Sequence, residues 1–206
     1  MRIIPVSKLN KKEILSALKE HLLNDGIIVY PTDTFYGLGC NFYSLPAQKK
    51  IDLIKGRSDS PYSIAISDTK MINELTSQSL SLFELFLNYH SPRKMTFLMK
   101  ANKELDKKLL KGSMLIGIRI PDHLTVRKFI DFLGFPIIST SVNASGNPPL
   151  NSDDKIANFI KNSGFSSETI IISEGELDDS KGSTIIDLSD EIPAILREGD
   201  DLERVQ

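Results

Sequence analysis

The sequence predicts an α/β fold built on a mixed sheet, and two patterns support this. Short β-branched apolar runs alternate with segments in which apolar residues recur every three or four positions, as expected for helices packed on a sheet. Towards the C-terminus, strand-like runs follow one another with no helical pattern between them, which favours antiparallel pairing. The chain has 206 residues and 40% hydrophobic content, enough for one good core, so we predict a single domain over residues 1–206.

The first helix and the first buried strand are predicted near the N-terminus. Asn10-Lys11-Lys12-Glu13 has the spacing of a capping box, and apolar residues then recur every fourth position. Asp25-Gly26 is expected to end this helix. The β-branched run Ile27–Tyr30 that follows is typical of a buried strand.

The same patterns predict the remaining elements in order. Further helices are predicted from Ser44-Leu45-Pro46 onward, at Leu80–Tyr89, at Thr125–Leu133 and around Ile156–Ile160. Further strands are predicted at Ile64–Ile66, Thr96–Met99, Leu115–Ile120, Pro136–Ser139, Thr169–Ile172, Thr184–Leu188 and Ala194–Leu196. The acidic, glycine-containing segment Gly175–Gly182 is expected to be the most mobile loop.

Composition and charge exclude several classes of protein. The formal net charge of −2 provides no global basic field to attract nucleic acid or an anionic membrane, although a local cationic cleft is compatible with it. The single cysteine, Cys40, excludes an internal disulfide. Because the sequence has no signal-type apolar run and no stretch long enough to span a bilayer, we expect a soluble, cytoplasmic protein with no membrane partner.

The most informative segment is Tyr30–Gly39, which begins at the end of the first predicted strand. Pro31 removes a backbone donor, Gly37 and Gly39 permit tight backbone geometry, and three hydroxyl groups and a carboxylate lie between Pro31 and Gly37. Such polar groups at the edge of a strand are costly unless something hydrogen-bonds to them. A bound ligand is one such partner, and a self-satisfied turn is the other.

Several familiar site chemistries are excluded by residue spacing. His21, His90 and His123 are far apart, and none pairs with Cys40 at a ligand spacing, so no metal site is predicted. Lys181-Gly182-Ser183 inverts the residue order of a Walker A loop. No nucleophile with an adjacent base is recognisable, so we predict no catalytic residue that reacts covalently.

Polar motifs recur beside strand-like runs along most of the chain. They are Tyr30–Gly39, Lys55-Gly56-Arg57, Arg119-Ile120-Pro121, Ser139–Gly146, Gly182-Ser183-Thr184 and Leu196–Gly199. In this order they resemble the motifs of the YrdC/Sua5 family, the threonylcarbamoyl-adenylate synthases, and the resemblance runs from about Ile27 to Gly199. It implies a YrdC-like open, twisted mixed sheet flanked by helices, with a concave cleft, in the short single-domain form of the family.

The resemblance also implies an activity. Members of this family are understood to use L-threonine, bicarbonate and ATP to form threonylcarbamoyl-adenylate and pyrophosphate, which serves the N6-threonylcarbamoyladenosine modification of tRNA. This chain is therefore expected to be a nucleotidyltransferase that passes its product to a separate threonylcarbamoyl transferase complex. A direct contact with tRNA is left open. ATP is expected as a substrate, accompanied by Mg²⁺ without a dedicated protein site.

Carried over motif by motif, the resemblance assigns residues to both substrates. Threonine would be bound by Thr32, Arg119, Ser139 and Ser183. ATP would be bound by Lys55, Arg57, Ser141, Asn143 and Arg197. These residue types suit anions, because arginine pairs bidentately with carboxylates and phosphates, and hydroxyl groups beside glycines form a neutral cradle. Asp33 is left open between a turn cap and a functional role, and Tyr36 is expected to pack.

The chain departs from the family pattern at two segments. Pro92–Thr96 carries two cations where members commonly have Pro-Gly-Pro-x-Thr, and Ser58–Ala65 is shortened by one residue. Ala65 also stands where some members have a threonine-contacting histidine. These departures leave room for a paralogue that acts on a different amine substrate. A non-catalytic RNA-binding module is the other alternative, with Arg93 and Lys94 as its local support.

Overall fold

The computed structural model describes residues 1–57, 59–90 and 94–200, with the backbone alone at 89 and 90. Its strands are β1 (Arg2–Pro5), β2 (Ile27–Tyr30), β3 (Gly37–Gly39), β4 (Ser63–Ala65), β5 (Met95–Lys100), β6 (Leu115–Arg119), β7 (Ile137–Ser141), β8 (Thr169–Ser173), β9 (Thr184–Asp187) and β10 (Ala194–Arg197). Its α-helices are α1 (Lys12–Leu23), α2 (Leu45–Lys55), α3 (Ser81–His90), α4 (Leu124–Leu133) and α5 (Asp153–Asn162). Short 3₁₀ turns lie at Val6–Asn10, Thr69–Glu74 and Ser166–Glu168.

The strands form one mixed sheet in the order β1-β8-β2-β3-β7-β4-β6-β5-β9-β10. The pairs β1/β8, β2/β8, β4/β6 and β5/β9 are parallel, and the other pairs are antiparallel. The late strands β9 and β10 pair antiparallel, as their close spacing predicts. The α/β architecture and the mixed sheet predicted from the sequence are therefore confirmed.

Apolar side chains cover both faces of the sheet. In β2, Ile27 and Val29 belong to one buried cluster, whereas Ile28 and Tyr30 belong to another, because successive strand residues point to opposite faces. Helices α1 and α4 pack on the second cluster, and α2, α3 and α5 pack on the first. The sheet is thus enclosed between two helical layers, so polar groups that hydrogen-bond a ligand are concentrated at strand ends and loops.

Two short strands were not predicted from the sequence, and β3 lies within the signature segment itself. An added Cβ at Gly37 would lie 2.7 Å from Tyr30 Cζ, and one at Gly39 would lie 2.5 Å from the Ile138 carbonyl oxygen. These glycines therefore allow close packing against the Tyr30 ring and β7, whereas the sequence pattern indicates only a turn. The N-terminal strand β1 is short and mostly exposed, which explains its weak apolar signal.

The predicted capping box at the start of the first helix is wrong. Lys11 is the N-cap of α1 and its side chain makes no capping hydrogen bond, while Asn10 ends the preceding 3₁₀ turn. That turn directly precedes the helix, and Lys11 N donates to the Lys8 carbonyl at its end. The backbone of Asn10 therefore belongs to the 3₁₀ turn, and Asn10 does not cap the helix.

Helix α2 shows how local sequence positions functional side chains. Ser44 caps its first turn by accepting from Ala47 N at 3.0 Å, and a proline occupies the first turn. Gly56, with φ of 65°, ends the helix in the left-handed region that glycine favours. Lys55 therefore occupies the last helical position, and Arg57 begins the loop that follows.

Ser44→Ala should destabilise the fold by about 1–2 kcal/mol, because the substitution removes the cap of α2. Urea unfolding of the wild-type and variant proteins measures this loss. Ser16→Ala, at an exposed position in the middle of α1, is the matched control and should change the free energy of unfolding by less than about 0.5 kcal/mol. Equal stabilities of the Ser44 variant and the wild type would contradict the capping role.

Candidate functional site

The predicted binding residues converge on one cavity. It has a volume of about 610 Å³, within the range of about 300–1,000 Å³ typical of small-ligand sites. Its lining includes every residue that the resemblance assigns to a substrate: Thr32, Lys55, Arg57, Arg119, Ser139, Ser141, Asn143, Ser183 and Arg197. These residues come from β7, from the ends of α2, β6 and β10, and from loops beside β2 and β9. The sheet therefore brings together motifs that are distant in the sequence.

Arg119 is held in the cavity wall by a carboxylate and a hydroxyl group. Its Nη2 donates to Asp33 Oδ1, and its Nη1 donates to Thr34 Oγ1 at 3.3 Å. The side chains of Arg119 and Asp33 are 9% and 4% exposed, so they form a buried ion pair. Arg119 Nε and Asp33 Oδ2 have no hydrogen-bond partner among the described residues. The guanidinium is thus fixed in place with donor capacity remaining.

Thr32 supplies the turn cap of the signature segment. Its Oγ1 accepts from Thr34 N at 3.1 Å and donates to the Phe35 carbonyl at 2.7 Å. Asp33, for which the sequence left a cap or a function open, pairs with Arg119 instead. Part of the signature is therefore self-satisfied, as in an ordinary turn, while Asp33 is directed at the arginine of another motif.

Lys55 is buried at the end of α2, with 3% of its surface exposed. Its Nζ donates to the Ser141 carbonyl at 2.8 Å and to Asn143 Oδ1, and Ser141 Oγ donates to the same amide oxygen at 2.7 Å. Burial lowers the pKa of Lys55 to about 8, and repulsion from Arg57 acts in the same direction. These contacts are with uncharged groups, so they leave the ammonium charge available to an anion.

Arg57 lies against an aromatic ring. Its guanidinium carbon is 5.0 Å from the centroid of the Tyr62 ring, and Lys111 Nζ is 4.3 Å from the same centroid. Tyr62 OH donates to Asp52 Oδ1 at 2.8 Å, and Lys111 forms an ion pair with the same carboxylate. Burial and the Asp52 carboxylate raise the pKa of Tyr62 above its usual range, so this hydroxyl stays protonated. The ring therefore serves as a support for Arg57.

Arg197 approaches Ser183 from the last strand. Its Nε and Nη2 donate to the Ser183 carbonyl at 3.1 and 2.7 Å, and its Nη2 also lies 3.1 Å from Ser183 Oγ. Ser183 Oγ is in turn 2.8 Å from Thr96 Oγ1. Burial and then the nearby charge of Arg119 lower the pKa of Arg197. Two arginines from distant motifs therefore share one region of the cavity.

The segment Gly175–Gly182, predicted to be the most mobile loop, is hydrogen-bonded at both ends. Near its start, the buried Tyr36 hydroxyl accepts from Glu174 N at 2.8 Å and lies 2.8 Å from the Gly175 carbonyl. Near its end, Asp200 accepts from Ser180 Oγ and from Lys181 N, each at 2.7 Å. Tyr36, expected only to pack, thus also anchors a loop whose far end lines the cavity.

The cavity also contains polar side chains that the motifs do not assign. Thr34 lies between motif residues, Tyr62 lies in a segment that departs from the family pattern, and Lys181 has no strand pattern around it. Position within a polar segment is the signal that identifies Thr34. No sequence signal identifies Tyr62. Thr96 is the threonine that ends the Pro92–Thr96 segment, so its place in the family pattern is the signal that identifies it.

Some sequence expectations concern residues outside the described part of the chain. These are Ser58 and the residues Pro92 and Arg93 of the Pro92–Thr96 departure. Lys94 forms an ion pair with Asp200 at 3.0 Å. In the described ranges, no group of three or more His, Cys, Asp or Glu residues could hold a metal ion. Nor does any helix there have the length and apolarity needed to cross a membrane.

The chain resembles known proteins in both sequence and structure. The model of the Sua5_yciO_yrdC family, described as telomere recombination, matches residues 20–199. The Escherichia coli protein named uncharacterized protein YciO is 30% identical over 191 residues, which cover 92% of this chain and 90% of YciO. Threonylcarbamoyl-AMP synthase from Bacillus subtilis is 29% identical over 180 residues, covering 86% of this chain and 51% of that synthase.

Solved structures show the same fold. The crystal structure of Sua5 from P. abyssi in complex with L-threonine matches with a TM-score of 0.83 and 25% identity, covering 97% of this chain and 58% of that chain. The crystal structure of E. coli YciO matches with a TM-score of 0.80 and 27% identity, covering 93% of each chain. The chain therefore spans somewhat more than half of that Sua5 chain and nearly all of YciO.

Anion binding in the cavity should weaken as the pH rises through about 8, because Lys55 carries its charge below its pKa of about 8 and loses it above. Sulfate is a suitable probe because it does not titrate in this range. Calorimetric titration should show a several-fold lower affinity at the alkaline end. Lys55→Met should remove this dependence, while Lys12→Met, at an exposed position in α1, should retain it. A wild-type affinity that stays constant would contradict the lowered pKa.

Proposed function

The chain belongs to the Sua5/YciO/YrdC family, and we propose that it is a threonylcarbamoyl-AMP synthase. In this reaction L-threonine, bicarbonate and ATP give threonylcarbamoyl-adenylate and pyrophosphate. The observation that carries the proposal is the convergence of all nine residues assigned to substrates on one cavity, whose lining contains no aspartate or glutamate among the described residues. Relatives named threonylcarbamoyl-AMP synthase and the structure of Sua5 with L-threonine support it.

We assign the phosphates of ATP to the region around Lys55 and Arg57. Both side chains are cationic, and neither forms an ion pair within the described residues. Ser141 and Asn143 add a hydroxyl and an amide next to the ammonium group. Charge-assisted hydrogen bonds of this kind are strong, and the arginine fork suits phosphate oxygens.

We assign the amino acid to the region around Arg119. Its guanidinium would donate to the carboxylate of threonine, and the hydroxyl groups of Thr32, Ser139 and Ser183 would contact the remaining polar groups. Arg197 donates to the Ser183 carbonyl. Burial and then the charge of Arg119 lower the pKa of Arg197. Arg197 would therefore lie between the two substrate regions and contact the phosphate group of ATP that is nearest to the amino acid.

The proposed chemistry needs no covalent enzyme intermediate. The threonine amine attacks the bicarbonate carbon, forming a C–N bond and releasing water, which leaves a carbamate. A carbamate oxygen then attacks the α-phosphorus of ATP, and the bond to the leaving pyrophosphate breaks. The protein contributes chiefly by holding the reactants in line and by neutralising the phosphate charge. Lys55, Arg57 and Arg197 would supply that neutralisation.

Magnesium is proposed to arrive with ATP as part of the substrate. Within residues 1–57, 59–90 and 94–200, the cavity lining has no aspartate or glutamate side chain, and carboxylates are the usual protein ligands of this ion. The residues present therefore do not fit a dedicated magnesium site, and the phosphates and water would supply its ligands.

The product has a reactive mixed-anhydride linkage, which is prone to hydrolysis. We therefore propose that a separate threonylcarbamoyl transferase complex receives it, for modification of tRNA in the cytoplasm. A direct contact between this chain and tRNA stays a prediction. Of the two cations that support an RNA-binding module, Lys94 is paired with Asp200, and Arg93 lies outside the described residues.

The second candidate function is a reaction with a different amine substrate. It is favoured because Ala65, next to Arg119 in the sheet, has no polar group where some family members have a threonine-contacting histidine. Ala65 is fully buried in an apolar cluster, pairs in register with Arg119 and does not line the cavity. The relative YciO, which this chain matches over nearly its full length, has no activity in its name. A changed side chain at the amino-acid region would alter which amine fits while ATP binding is retained.

A pyrophosphate-release assay with each substrate omitted in turn tests the proposed function. We expect release only when L-threonine, bicarbonate and ATP are all present, with threonylcarbamoyl-adenylate identified by mass spectrometry. Release with another amino acid, but not with threonine, would favour the second candidate. Salt-sensitive RNA binding with no pyrophosphate release under any combination would contradict both.

Arg119→Lys should raise the threonine concentration needed for half-maximal rate by about tenfold or more, because lysine lacks the bidentate fork. The requirement for ATP should change little. Lysine is preferred to alanine here, because alanine would leave the buried Asp33 carboxylate unpaired and destabilise the fold. Arg127→Lys, whose Nε donates to the Ser67 carbonyl outside the cavity, is the control. An unchanged threonine requirement would remove Arg119 from the amino-acid region.

A further inference from the structure

Four of the cations that line the cavity differ in how their charge is balanced. Lys55 donates to uncharged groups, Arg57 lies against an aromatic ring, and Arg197 donates to a backbone carbonyl. Among these and Arg119, only Arg119 has a carboxylate partner within the described residues. That partner is Asp33, which does not line the cavity itself.

The Asp33 carboxylate acts on the cavity through the arginine in front of it. Its side chain is 4% exposed, and its Oδ1 accepts from Arg119 Nη2. In a buried pair at hydrogen-bonding distance, the opposite charge largely cancels the field of the guanidinium towards a third group. The ion pair leaves donor capacity on Arg119, because Nη1 donates only to Thr34 Oγ1 among the described residues and Nε has no partner there.

The charges therefore fall into two unlike regions. Lys55 lies at the end of α2 and contacts Ser141 and Asn143, at and just after the end of β7. Arg197 instead donates to Ser183, whose hydroxyl contacts Thr96 in β5, the strand that pairs with the Arg119 strand β6. The Lys55 and Arg57 region carries uncompensated positive charge. In the other region, Asp33 offsets one of the two arginine charges. Since the described part of the lining contains no carboxylate, a polyanion would bind strongly in both regions if Asp33 did not offset this charge.

We propose that Asp33 is a positioning residue that sets the specificity of the amino-acid region, orienting Arg119 and offsetting its charge so that the region admits a small zwitterion and disfavours phosphate groups. This inference rests on the proposed function for the identity of the zwitterion. The charge balance itself holds for any amino acid bound there. It explains how one cavity lined by several cations keeps a triphosphate and an amino acid in separate places.

Asp33→Asn tests this proposal, because it removes the charge and keeps an oxygen that can accept from Arg119. Binding of inorganic pyrophosphate and of L-threonine to the full chain would be measured by calorimetry. We expect the variant to bind pyrophosphate in the Arg119 region at least about tenfold more tightly than the wild type, since an opposite charge at this distance shifts ionic equilibria by that order. Pyrophosphate should then displace threonine.

Two further variants separate charge from structure. Adding Arg119→Gln to Asp33→Asn should abolish the additional pyrophosphate binding without leaving a buried charge unpaired. Asp106→Asn, at an exposed carboxylate that accepts from Lys108 N, removes the same charge elsewhere and should bind pyrophosphate as the wild type does. A folded Asp33→Asn variant that loses threonine affinity without gaining pyrophosphate affinity would reduce Asp33 to a structural role and overturn the proposal.

A competition experiment on the wild type needs no substitution. Pyrophosphate should bind without raising the apparent dissociation constant of L-threonine, and direct displacement of threonine by pyrophosphate would overturn the proposal even if Asp33→Asn does not fold. Failure of the proposed function has a different signature. In that case the wild type would bind no threonine, while the gain in pyrophosphate affinity of Asp33→Asn would still be measurable.

Discussion

The architecture of the site depends on the close approach of β3 to the Tyr30 ring and to β7. Through this pairing the parallel strands at one side of the sheet join the strands that carry Arg119 and Arg197. Only glycine fits at positions 37 and 39, because a side chain would collide with Tyr30 or with the Ile138 carbonyl. The same two residues that permit the signature turn therefore also hold both halves of the sheet in register around the cavity.

The cavity is costly for the folded protein in the absence of a ligand. Lys55 is buried with uncharged partners, and its lowered pKa is the sign of that desolvation. Arg57 Nε and Arg119 Nε are buried without hydrogen-bond partners among the described residues. Such groups are tolerated where an anion can complete them. Anionic ligands that bind the folded state should accordingly raise its resistance to unfolding.

The sequence predicted which residues come together in space better than it predicted local backbone structure. The motif residues can be identified by residue type and by their order along the chain. They converge on one cavity once the strands pair as they do in the family. By contrast, the helix start at Asn10 depends on a preceding 3₁₀ turn that has no clear pattern. Strand β3 depends on contacts with Tyr30 and Ile138, and neighbouring residues contain no signal for them.

The role of Asp33 shows the same limit at the level of a single side chain. A carboxylate within Thr-Asp-Thr is compatible with a capped turn, and only the position of β6 reveals that Arg119 is its partner. Tyr62 is similar, because its contact with Arg57 joins a helix end to a loop whose length differs from the family pattern. Residue type and order predict what a site can bind, whereas pairing of distant strands decides how its charges are balanced.

The segment after β10 holds in place the loop that carries Ser180–Ser183, which lines the cavity. An added Cβ at Gly199 would lie 2.3 Å from the Gly182 carbonyl oxygen, and Gly199 N donates to Thr184 Oγ1 at 3.1 Å. Asp200 accepts a hydrogen bond from the backbone N–H of Lys181, and Lys94 Nζ donates to the same carboxylate. Engineered shortening of the chain, or proteolysis ahead of Gly199, would therefore release one side of the binding chamber while the hydrophobic interior stayed intact.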